Sequence, residues 1–193
     1  MNKIKSRELV IDLPTDQTGD SLPVKLKLDC GRTYQIFLRS HDKINSVLEH
    51  LAYMDKSALV ASDGGMISNL TVQENLLLPI RYHAITDDKA ALRQATGILL
   101  RLIGKEEVEW MLQSRPSLIS KFEKKLAGFV RAMLMEPEIL IYESVFEDMT
   151  ASEITTIIKF NEIFHVLFPF RTAIFLDLDH TQGIMPADQT FIL

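Results

Sequence analysis

The clearest hydrophobic pattern in this chain lies in residues 116–150. Leu118, Phe122, Leu126, Phe129, Val130, Met133 and Leu134 recur at three- and four-residue spacing, which predicts one apolar face of an amphipathic helix. Lys121, Lys124, Lys125 and Arg131 are expected elsewhere around the wheel. Pro137 cannot continue a helix. Ile139, Leu140, Ile141 and Tyr142 then form a run that suits a strand buried on both faces, with the Glu143 carboxylate at its end. Upstream, residues 9–13 and 24–28 read as strands around a turn at 15–21. The second alternates strictly, as in a half-exposed antiparallel sheet. Gly31 and Arg32 mark another turn, residues 33–38 a strand, and 39–46 lead into a helix reaching Met54. A short strand at 58–61 precedes the turn Asp63-Gly64-Gly65. Residues 86–102 predict a helix with Thr86 as N-cap, Asp87 and Asp88 in its first turn and Gly104 as its stop. A shorter helix at 106–113, a helix at 151–168, and strands at 171–176 and 187–193 complete an alternating α/β order.

Composition narrows this picture. At 193 residues the chain is one domain, with at most a subdomain, and is long enough to bury a core without disulfide or metal. Its 47% hydrophobic content lies toward the upper end for a soluble protein and fits a subunit that hides a face. A net charge of −5 argues against nucleic acid as a partner, because that binding neutralises phosphates with Lys and Arg. The single cysteine, Cys30, excludes an internal disulfide and favours a reducing compartment. The first residues have no apolar core for a signal peptide, and no window approaches a membrane span, so a cytoplasmic protein is expected. His41, His50, His83, His165 and His180 show no metal-ligand spacing. No nucleophile motif of the Gly-x-Ser-x-Gly type occurs.

The central stretch resembles the ATP-binding-cassette (ABC) ATPase family. In that family a glycine-rich signature starts a helix ending in ARAL, followed by PELLLLDEP. Arg131, Ala132, Pro137 and Glu138 match it. Residues 66–83 resemble the family's LTVxENVxLPLRxH segment, with Leu70, Thr71, Val72, Glu74, Asn75, Pro79, Arg81 and His83 carrying the match. In detail this segment looks most like the ATPase subunits of Mce/Mla-type phospholipid transporters. The end of the chain matches the family's ADYVYIL strand through Ala187, Asp188, Ile192 and Leu193.

The chemical positions of that resemblance are degenerate. A P-loop, GxxxxGK(S/T), closes backbone N–H groups around phosphate, and its lysine reaches the outer phosphates. Here Leu38, His41 and Lys43 stand at the glycine positions, Ile44 at the lysine, and Asn45 at the magnesium-ligating hydroxyl. Asp42 is expected to cap the helix and repel phosphate. Ser62 replaces the Q-loop glutamine, Lys121 and Phe122 the signature glycines, and Glu143 the magnesium aspartate. Ser144 replaces the catalytic glutamate, Thr150 the D-loop aspartate and Leu178 the switch histidine. No catalytic residue is therefore assigned.

The resemblance implies a P-loop NTPase fold: a three-layer core with a mainly parallel sheet, an antiparallel β edge from the first 30 residues, and an inserted helical subdomain. The core would comprise residues 1–63 and 126–193, and the subdomain 64–125. The implied function is that of a pseudo-ATPase, structural or regulatory, in an ABC-type lipid transport system. A permease or another ABC ATPase subunit would dock on the helical subdomain at the inner face of the membrane. A second reading keeps a nucleotide sensor that binds Mg-ATP through the residual positions Lys43, Ser46, Ser120 and Glu143. The ordinary role of both serines is helix capping. A third reading is a soluble scaffold without a membrane partner. Any homodimer is expected to be independent of nucleotide and to rest on apolar contact, hardly changed by salt.

Overall fold

The computed structural model describes residues 6–14, 21–52, 54, 56–178, 183–184 and 186–193, with side chains from Lys25 onward. Most of the turn expected at 15–21 lies outside the described residues, as does His180. The strands are β1 (Ser6–Pro14), β2 (Ser21–Asp29), β3 (Thr33–Leu38), β4 (Ser57–Val60), β5 (Ile139–Glu143), β6 (Thr172–Leu178) and β7 (Gln189–Ile192). The helices are α1 (His41–Ala52), α2 (Val72–His83), α3 (Asp88–Leu99), α4 (Lys105–Gln113), α5 (Lys121–Leu134) and α6 (Ala151–Leu167). A single 3-10 turn, Pro116–Leu118, precedes α5.

β4, β5, β6, β3 and β7 form one sheet in that order, and every pairing is parallel. Strand alternation divides its side chains between two layers. Ile139, Ile141, Ile174 and Leu176 face α1 and β2, where they meet Ile44, Val47, Leu51, Leu26 and Leu28. Leu140, Tyr142, Ala173 and Phe175 face the other way, into a cluster shared by α2 to α6. The strands read as unbroken apolar runs because both faces are covered. The antiparallel pair differs from expectation. β1 and β2 hydrogen-bond to each other from Ser6↔Asp29 to Pro14↔Ser21 and form a separate two-stranded sheet, while β4 and β7 hold the edges of the parallel sheet.

Three further positions depart from expectation. Lys125 is 2% exposed rather than on the wet side of α5, and its amine donates to the carbonyls of Val145 (2.9 Å) and Glu147 (2.8 Å). The N-cap of α3 is Asp87, not Thr86; its Oδ1 accepts from Ala90 N at 3.0 Å, and the helix stops at Leu99. The N-cap preference is nearly equal for the two adjacent residue types, so the chain path decides. α1 ends at Ala52, short of Met54.

The segment matched at 66–83 is structural in detail. Thr71 and Glu74 form a capping box, with Thr71 Oγ1 accepting from Glu74 N (3.2 Å) and Glu74 Oε2 from Thr71 N (2.7 Å). Buried Asn75 pins the preceding loop by accepting from Ile67 N (2.7 Å) and donating to Ile67 O (3.0 Å) and Thr71 O (2.9 Å). The α2, α3 and α4 helices bury Leu76, Ile80, Ala95, Leu99 and Met111 in the same cluster as Phe129 of α5 and Phe175 of β6. The helical segment thus shares a core with the sheet.

The turn after β4 is clamped onto α5. Arg131 donates to Gly65 O (2.6 Å) and Gly64 O (3.2 Å). A side chain on Gly128 would come within 3.0 Å of Gly64 O. Gly64 itself has φ of +79°, and a Cβ there would lie 2.3 Å from Lys124 O. Substituting Gly64→Ala therefore combines backbone strain with a clash against helix backbone. It should cost about 2 kcal/mol or more in urea unfolding, and a change under about 0.5 kcal/mol would contradict this packing.

Candidate functional site

In open parallel sheets, ligands bind beyond the carboxyl ends of the strands. At that edge here, β3 ends at Leu38 and α1 begins at His41, leaving only Arg39 and Ser40 between them. Without glycines, the residues that would form a phosphate loop continue as helix. The cap is Ser40, not Asp42: Ser40 Oγ accepts from Lys43 N (3.4 Å), and Ser40 O accepts from Ile44 N (3.2 Å). Asp42 is exposed in the first turn, where its charge still opposes an incoming anion. Ile44 is 1% exposed and packs under the sheet, so the position of the phosphate lysine points into the core. Ser46 is mid-helix rather than a cap, and its hydroxyl donates back to Asp42 O at 3.1 Å.

The second candidate position is the start of α5. Ser120 Oγ accepts from Glu123 N (3.2 Å), and Glu123 Oε2 accepts from Ser120 N (2.7 Å), a complete capping box. The Glu123 carboxylate thus takes an N–H where the resemblance places phosphate binding. Lys121 pairs with Asp148 at 2.6 Å, holding that carboxyl below its ordinary range. Phe122 is half-buried against the main cluster. Thr150 repeats the same cap with Glu153 at the head of α6.

The four residual positions are divided between the two faces of the sheet. Lys43 and Ser46 lie on α1, under one face of the sheet, whereas Ser120 opens α5 on the other. Glu143 ends β5, separated from β3 by β6, and by strand alternation shares the α1 side with Ile139 and Ile141. Ser144 follows with φ of +43°, its N–H bonded to Leu176 O at 2.8 Å. Ser62 is half-buried in the turn after β4, and Leu178 packs partly against the α1-side cluster.

No family model matches the chain. Solved structures do. The protein CbiO1 from Clostridium perfringens, part of the ABC transporter complex CbiONQ, aligns with a TM-score of 0.72 at 13% identity over 96% of this chain and 83% of that one. An ATP-binding subunit of an ABC transporter aligns with a TM-score of 0.76 at 16% identity, covering 96% of this chain and 85% of its own. The fold is that of an ABC ATPase. The alternating order, the parallel sheet and the helices between β4 and β5 all belong to this ABC ATPase fold.

Within it lies a buried polar cluster around Asp177. Asp177 on β6 is 1% exposed, and neither carboxylate oxygen has a hydrogen-bond partner. Burial pushes its pKa up to about 7; the amide of Gln35 softens the rise without a well-formed hydrogen bond, and Glu147 adds to it. Nearby, the Tyr142 and Ser144 hydroxyls are buried without partners. Burial also lowers the pKa of Lys125, partly offset by Glu147 and Asp148. The signal for Asp177 was present in the sequence as an acid inside the apolar run 173–178. Lys125 carried none, being one lysine among several.

Asp177 sets a testable pH dependence. Its folded pKa of about 7 stands above the ordinary 3.8, so between those values the folded state holds a proton that the unfolded state has lost. Stability from this group is greatest at low pH, falls as pH rises toward about 7, and stays low above it. Asp177→Asn removes the penalty. It should raise the melting temperature clearly at pH 8, on the order of a few kcal/mol of stabilisation, and much less at pH 5. An equal shift at both pH values would contradict the burial argument.

Proposed function

We propose that this chain is a catalytically inactive ABC ATPase-like subunit that acts by contact, structurally or as a regulator, within an ABC-type transport system. The observation that carries the reading is the closed edge of the sheet, where Ser40 starts a helix two residues after β3 and Ile44 turns into the core. Phosphoryl transfer depends on positioned cations and a water-orienting group. Ser144 and Leu178 offer no such carboxylate or imidazole.

The contact surface in this reading is the helical segment, residues 64–125, treated as a subdomain on the 1–63 and 126–193 core. A groove of about 560 Å3 runs between β4, α2 and α5, lined by Leu59, Leu78, Pro79, Tyr82, Arg131 and Met135 among others. Tyr82 is 83% exposed and Leu78 44% exposed on its rim. An aromatic and an aliphatic anchor over an apolar floor suit a short helix from a permease. Among the described residues no helix is long and apolar enough to cross a membrane. Placement at the inner face of the membrane would therefore come from the partner. The resemblance of residues 66–83 to Mce/Mla-type ATPase subunits is what supports phospholipid transport as the system.

Two measurements test this. A melting scan with saturating Mg-ATP should show no shift, whereas a bound ligand at 100 times its dissociation constant would add about 2.7 kcal/mol. Such a shift, abolished by Lys43→Ala, would favour the nucleotide sensor. Purification from detergent-solubilised membranes of the native host should recover a permease, and Tyr82→Ser with Leu78→Ser should release it. Recovery of soluble partners alone would favour the scaffold reading.

A further inference from the structure

The outer face of α3 carries a second groove, within the helical segment but sharing no lining residue with the groove between β4, α2 and α5. Lys89, Leu92, Arg93, Thr96, Gly97 and Leu100 line this shallow, mostly apolar depression of about 540 Å3. Gly97 is its unusual feature. Glycine is among the least favourable residues inside a helix, and a Cβ there would meet nothing within 4 Å. No contact inside the chain requires the glycine. Its missing side chain leaves the groove open at that point. Leu100 is 47% exposed at one end, and Lys89 and Arg93 stand in water on the rim, neither in an ion pair among the described residues. The groove is thus apolar in its floor, positive at its edge and without a carboxylate in its lining.

The complement is present on the same molecule. Glu106, Glu109 and Trp110 share one face of α4 by their three- and four-residue spacing. Trp110, the sole tryptophan, is 50% exposed, and both glutamates are exposed beside it. Glu109 has only a loose surface contact with Lys105 at 3.8 Å. A half-exposed indole flanked by carboxylates fits an apolar groove flanked by cations, with Lys89 and Arg93 four residues apart on α3 and Glu106 and Glu109 three apart on α4, about one turn in each case. Exposed tryptophans anchor interfaces, while the surrounding charges set register and exclude wrong partners.

We propose that this chain associates with a second copy of itself by seating Trp110, Glu106 and Glu109 of one copy in the α3 groove of the other. The contact uses neither β3–α1 nor the head of α5, so it forms without nucleotide. Its charged rim makes it salt-sensitive, in contrast to the purely apolar contact expected from the sequence. Because the groove between β4, α2 and α5 is elsewhere, this proposal and the permease reading can fail separately.

Sedimentation velocity over a concentration series tests it on the full chain. The wild type should show a concentration-dependent dimer, weakened several-fold between about 0.05 and 0.5 M salt and unchanged by Mg-ATP. Trp110→Ser should weaken it about tenfold or more. Gly97→Leu should do the same while leaving the melting temperature equal or higher, since leucine favours helix; that opposite pair of effects separates a lost contact from a damaged fold. Lys89→Glu with Arg93→Glu should abolish association, as should Glu106→Lys with Glu109→Lys. Mixing those two charge-reversed proteins should restore it, because the acidic groove of one then meets the basic α4 of the other. A wild type that stays monomeric throughout the series, or a dimer indifferent to these substitutions, overturns the proposal.

Discussion

The sharpest constraint in this molecule is the turn between β3 and α1. A buried strand ends at Leu38 and a helix capped by Ser40 begins at His41. That start fixes the rotation of α1, which in turn places Ile44, Val47 and Leu51 against Ile139, Ile141, Ile174 and Leu176. A flexible phosphate loop would delay the helix and withdraw Ile44 from that layer. Full burial of an Ile side chain contributes about 1.5–3 kcal/mol. This sequence thus places an isoleucine in that layer at the position where the resemblance puts the phosphate lysine.

The same trade recurs at other helix starts. The N-terminus of a helix attracts anions through its unpaired N–H groups and dipole. Here Glu74, Glu123 and Glu153 turn back onto the heads of α2, α5 and α6, each in a capping box with Thr71, Ser120 or Thr150. Hydrogen bonds from the two threonines hold Glu74 and Glu153 below the ordinary carboxylate range. The chain's own carboxylates occupy the places where a helix head would hold an external anion. This serves stability at each helix and leaves fewer free N–H groups there for an external anion.

Much of the architecture was legible because both faces of the sheet are covered. The run Ile139 to Tyr142 suited a buried strand, and the spacing from Phe122 to Leu134 matched one helix face. What escaped was the part that periodicity does not encode. Lys125 and Lys121 are both lysines one turn apart, yet one is sealed under residues 145–147 and the other pairs with Asp148 at the surface. Ser40 and Asp42 are both good caps, and the path out of β3 chose between them. The hairpin strands read as antiparallel, but no pattern could say that they form a sheet of their own. At the candidate site the sequence identified missing groups one by one; only the fold revealed that Ser46 back-bonds to Asp42 and that Ile44 is core.

Backbone NMR observes directly whether residues 41–43 are helical rather than looped. Secondary Cα and amide shifts for residues 38–46 should switch from strand to helix between Leu38 and His41 and remain unchanged on adding saturating Mg-ATP. Loop-like shifts across His41, Asp42 and Lys43, or amide shifts there that move with nucleotide, would contradict the closed helical start.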